Sequence, residues 1–90
     1  MVSSASAHAP LCSCYDNGDG TVLCDGGFSD GASASGTPIK VVGEDGKILI
    51  NGQMNEASEF IFKKPDSPFK IIFEGGAGHN IEIKDSEISK

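Results

Sequence analysis

Residues 69–84, FKIIFEGGAGHNIEIK, decide how the rest of the chain is read. Phe69, Ile71 and Phe73 alternate with Lys70, Ile72 and Glu74. After Gly75-Gly76-Ala77-Gly78, the residues His79, Ile81 and Ile83 alternate with Asn80, Glu82 and Lys84. Successive side chains of a strand point to opposite faces. Period-two alternation with one apolar face therefore predicts two half-buried antiparallel strands joined by a glycine loop.

Working back along the chain, the same pattern recurs. Pro65-Asp66-Ser67 breaks the chain, and Ser58 to Lys63 places Phe60 and Phe62 on one face. Ile39 to Val42 reads as a strand, Glu44-Asp45-Gly46 as a turn, and Lys47 to Ile50 as the return; Asn51-Gly52 is a further turn signal. Gln53 to Glu59 is the one segment with room for a helix, and it is too short to be stable alone. Residues 29–37, SDGASASGT, read as a polar linker of small residues, and Asp85 to Lys90 as a polar end that frays.

Residues 11–28, LCSCYDNGDGTVLCDGGF, predict a cysteine-bearing hairpin. Asn17-Gly18-Asp19-Gly20 is a dense turn signal between Cys14-Tyr15 and Thr21-Val22-Leu23-Cys24. Residues 1–10 read as a disordered remnant of an export signal and a mature N-terminus. Ala5-Ser6-Ala7 fits the small-x-small pattern of signal-peptidase cleavage, which would leave His8 as the first mature residue. Ala7-His8-Ala9 also fits, but it would put Pro10 just after the cut. Met1 then reads as an added start, and the mature protein is expected in the periplasm or outside the cell, where disulfides persist.

Size and charge bound the rest. Ninety residues make one domain, residues 11–90, with a thin core, because so short a chain buries only about 60% of its unfolded surface. Seven Lys, no Arg and a net charge of −6 argue against nucleic acid, which needs clustered basic residues. No apolar run approaches the length of a membrane span, so no membrane insertion is expected of these residues.

Residues 36–83 run GTPIKVVGEDGKILINGQMNEASEFIFKKPDSPFKIIFEGGAGHNIEI. The order is a strand at Val41-Val42, an acidic-Gly-Lys turn at Asp45-Gly46-Lys47, a strand over Ile48 to Ile50, and Gly52. A polar loop, an aromatic-x-aromatic strand at Phe60-Ile61-Phe62, Pro65 and an aromatic-led strand over Phe69 to Phe73 follow. This order resembles the carboxypeptidase regulatory-like, or transthyretin-like, β-sandwich family, with residues 36–84 as the family-like core. Gly78-His79 after the strand is similar to periplasmic accessory components of nickel and cobalt uptake systems. The polar loop departs from the family pattern: Asn55-Glu56-Ala57-Ser58-Glu59 stands where an acidic residue, two more residues and a Gly are usual. The resemblance implies a non-enzymatic, exported sandwich module that binds other proteins or stiffens an assembly, with a tie to metal uptake.

Three cysteines leave one thiol over after any single bridge. Cys14 and Cys24 flank the turn and sit opposite one another if Gly18-Asp19-Gly20 forms the loop; Cys12 has the parity of Cys14, so a Cys12–Cys24 diagonal is the rival pairing. Either closure adds roughly 2–3 kcal/mol. The competing chemistry is a metal site. Cys12, Cys14 and Cys24 with His8 offer thiolates, an imidazole and a terminal amine, a donor set for Zn²⁺ or Cu(I). His79 reads as a half-buried histidine at a strand start, or as a ligand for nickel, cobalt or zinc carried by the resemblance. Asp16-Asn17-Gly18-Asp19-Gly20-Thr21 is a turn rather than a calcium loop, because with Gly20 in sixth place Tyr15 and Gly26 occupy the two outer ligand positions. The glycine loop before His79 lacks the Lys-Ser/Thr of a phosphate-binding loop, and no nucleophile motif stands out.

The expected fold is a single all-β, antiparallel sandwich of about seven strands, Ig-like or transthyretin-like, with the cysteine hairpin attached. Its expected core is Ile39, Val41, Ile48, Ile50, Phe60, Phe62, Phe69, Ile71, Phe73, Ile81 and Ile83. The expected function is a non-enzymatic extracytoplasmic interaction or structural module, with an unknown protein partner, within a larger membrane-associated protein. The alternative is a periplasmic accessory protein that binds Ni, Co, Cu or Zn through His8 and the cysteines.

Overall fold

Seven antiparallel strands form two sheets in the computed structural model, which describes residues 9–76 and 80–90. The strands are β1 (Pro10–Asp16), β2 (Thr21–Phe28), β3 (Pro38–Gly43), β4 (Ile48–Gln53), β5 (Glu59–Lys63), β6 (Phe69–Glu74) and β7 (Asn80–Lys84). One sheet has the order β1-β2-β5 and the other β4-β3-β6-β7. No helix among the described residues is long and apolar enough to cross a membrane. The expected cleavage site after Ala7, His8 and His79 lie outside the described residues.

The alternation in β6 is realised as read. Phe69, Ile71 and Phe73 are buried while Lys70, Ile72 and Glu74 are half-exposed. Phe73 pairs with Ile39 on one side and Ile81 on the other, and Ile71 with Val41 and Ile83, so apolar rows cross the sheet on its inner face. The facing sheet contributes Cys14, Val22, Cys24 and Phe62, and the Phe62 ring meets Phe69 edge-on at 6.1 Å. Ile50, Phe60 and Ile81 are half-buried against this core.

Several expectations are corrected. Ile48 is 52% exposed and outside the core. Val41 pairs with Ile50 but Val42 pairs with Ile48, so Leu49 is an extra residue in β4 and the side-chain parity inverts across it. Asn51-Gly52 lies inside β4 rather than in a turn. A β-carbon on Gly52 would lie 2.6 Å from the Phe60 ring, so this glycine admits a close approach and does not reverse the chain.

The small-residue stretch 29–37 also folds back into the core. Ala34 is fully buried, and the Gly36 N–H donates to the Met54 carbonyl while the Met54 N–H donates to that of Thr37. Met54, in the segment with room for a helix, is a core residue in a non-helical turn. Finally, the C-terminal segment is tied down. A single 3₁₀ turn over Asp85–Glu87 leads to Ser89, which bridges in parallel to Tyr15 and bonds Cys14 and Asp16, while Ile88 packs on the core. At the other end, Pro10 opens β1 and the Ala9 N–H donates to Ser29 Oγ, so these two residues are part of the fold.

Candidate functional site

The hairpin turn sets the position of the sulfurs. Gly18 and Gly20 both have positive φ (82° and 92°), conformations cheap only for glycine. The turn carboxylates are spent locally. Asp16 accepts from the Gly18 N–H and pairs with Lys64 at 2.9 Å, and Asp19 accepts from the N–H and hydroxyl of Thr21. These bonds, the Lys64 bond to Asp16 first, hold both carboxyls below the usual range.

The Asn17 N–H donates to the Thr21 carbonyl, which marks 17 and 21 as a hydrogen-bonded pair. Ladder alternation then makes Cys14 and Cys24 a close, non-hydrogen-bonded pair, with Cα atoms 4.1 Å apart. They form the disulfide, and the Cys12–Cys24 diagonal does not form. The bridge faces inward: Cys14 is 4% exposed and Cys24 fully buried.

Cys12, opposite Gly26, keeps its thiol. It shares the inner face of β1, and the three sulfurs lie within 4.8 Å of one another. A cleft of ≈ 230 Å³ opens there, at the seam where β1 and β7 form the edges of the two sheets; Cys12, Cys14, Glu82 and Glu87 are among its lining residues. Burial, then the neighbouring Asp25 charge, pushes the Cys12 thiol up to about 11. The sulfur cluster expected for a metal is thus assembled, with two of its three sulfurs bonded to each other.

A second feature escaped the sequence reading. On the outer face of the β1-β2-β5 sheet, Tyr15 pairs with Leu23 and Leu23 with Ile61. They form one apolar row across all three strands, and Ile61 is 58% exposed and Tyr15 42%. Ser13, Asp25 and Glu59 form the adjacent row on one side; Thr21 and Lys63 pair on the other. The signal was present locally: Ile61 breaks the polar parity of β5, and Tyr15 and Leu23 each stand three positions from the edges of the Gly18-Asp19-Gly20 loop, at matching register. The β2–β5 pairing that joins them is non-local. Comparison with known proteins finds no matching family model, no matching curated protein and no matching solved structure.

Proposed function

We propose that the chain is a non-enzymatic, extracytoplasmic β-sandwich module that works by binding protein, as part of a larger membrane-associated protein. The observation that carries this reading is the exposed Tyr15–Leu23–Ile61 row, apolar surface left uncovered on a sheet whose other face is packed. The Cys14–Cys24 bridge supports an oxidising compartment. The strand order supports an Ig-like arrangement. In immunoglobulin constant domains the sheets hold strands 1-2-5-4 and 7-6-3; here only the fourth strand changes sheet, giving β4-β3-β6-β7. The resemblance of residues 36–84 to carboxypeptidase regulatory-like domains agrees with a module of this kind. A photo-crosslinking residue at position 61, introduced in the cells that make the protein, is expected to trap a protein through this face. The same residue at Asp66, in the turn after β5, serves as the control. Equal trapping at both positions, or none at 61, removes the reading.

The closeness of the three sulfurs favours a second reading, a metal-binding accessory protein for Cu, Zn, Ni or Co. It requires the Cys14–Cys24 bridge to be reduced, a two-electron step that frees two thiolates. Native mass spectrometry of a chain beginning at His8 is expected, on this reading, to show one retained ion after reduction. It should show none with the bridge intact or after Cys12→Ser.

A further inference from the structure

We infer that the partner of the Tyr15–Leu23–Ile61 face is a second copy of the same chain, packed face to face about a two-fold axis that runs along the apolar row. The inference rests on the interaction-module reading and names its partner. A two-fold axis in that direction places each strand over its own counterpart and reverses it. Tyr15, Leu23 and Ile61 then each meet themselves. Residues one row to either side exchange places: Glu59 faces Lys63, Asp25 faces Thr21, and Ser13 faces Asn17. Both Glu59–Lys63 pairs form at once. Within one chain these two side chains are four residues apart along β5, beyond each other's reach, and neither makes an ion pair among the described residues. The other in-plane axis, along the strands, would set Asp25 against Asp25 and leave Glu59 facing Ser13. Like charges face to face discriminate between the two docking modes.

The net charge of −6 opposes self-association over most of the surface. On this face the axis along the row sets Glu59 against Lys63 twice, and Asp25 meets the uncharged Thr21 rather than another carboxylate. Its size sets the strength. Three strands about 4.8 Å apart and about five residues long present roughly 14 × 17 Å, at or below the smallest class of specific interface. The dimer is therefore weak and concentration-dependent.

Sedimentation velocity of the oxidised full chain, from about 10 μM to about 1 mM, reads it directly. The wild type is expected to shift from monomer to dimer across this range. Ile61→Lys should remain monomeric throughout. Glu59→Lys alone and Lys63→Glu alone should each lose the dimer, because each leaves only one sign of charge at the two facing positions. An equimolar mixture of the two variants should recover it, since each chain then supplies the charge the other lacks. Circular dichroism of each variant checks that it is folded. A dimer indifferent to all three substitutions overturns the inference. A chain that stays monomeric, with position 61 crosslinking to a different protein, overturns self-association and leaves the module reading standing. Monomer with no crosslink at position 61 removes both.

Discussion

Cys12 stands beside the bridge but exchanges with it slowly. Its sulfur is within 4.8 Å of both bridged sulfurs, close enough for exchange, but exchange requires thiolate. With its pKa held near 11 by burial and Asp25, only about one thiol in ten thousand is ionised at neutral pH. Alkylation of Cys12 by iodoacetamide, followed by mass spectrometry, is expected to be slow at neutral pH and to quicken about tenfold per pH unit toward pH 11. The linkage has a definite sign. The folded pKa lies above the ordinary 9.0, so the protonated thiol's contribution to stability is full below pH 9 and is lost as pH rises through 11. The urea midpoint of the wild type should therefore fall more over that window than that of Cys12→Ser. The bridge itself closes a ten-residue separation. Cys14→Ala/Cys24→Ala should cost about 2–3 kcal/mol, read as a melting temperature lower by roughly 10–20 °C. The sequence left the pairing open because Cys12 and Cys14 share parity. The register set by the three-residue Gly18-Asp19-Gly20 loop, which places Cys14 against Cys24, decides between them.

At the scale of strands, the two glycines that look like punctuation are contact points. A β-carbon at Gly26 would stand 2.9 Å from both Met54 Cε and Phe73 Cε1, and one at Gly52 2.6 Å from Phe60. Gly52→Ala is expected to destabilise by about 1–3 kcal/mol through overpacking. Phe60→Leu in the same chain should recover part of that loss, a coupling that a urea double-mutant cycle measures. Every strand was legible from alternation and turn chemistry, because both are local properties. The bulge at Leu49 was not, since inserting one residue changes no composition and leaves the Ile48-x-Ile50 spacing looking regular. Nor was the burial of Ala34 and Met54, which depends on a loop crossing that only the closed sandwich creates.

The two sheets share one core. Cys14, Val22 and Phe62 from one pack with Ile39, Ile71 and Phe73 from the other. Urea unfolding should thus be a single cooperative transition. Tyr15 fluorescence, which reports on the β1-β2-β5 sheet alone, should coincide with far-ultraviolet circular dichroism, which reports on both. Separate midpoints would mean that the hairpin folds as an independent unit. The sandwich class was readable from the sequence, whereas the apolar row of the candidate site was not, because Tyr15 and Ile61 meet only through a pairing 38 residues long, from Leu23 to Ile61. The bonds from Ser89 to Cys14 and Asp16 have a consequence for how the protein is made. The hairpin is synthesised before the other five strands, yet two backbone groups on its bare edge are taken up by a residue made more than seventy positions later. For that whole interval the nascent chain carries an open seam that another chain's strand can enter. Whatever escorts it has to shield β1 until residue 89 arrives to close it.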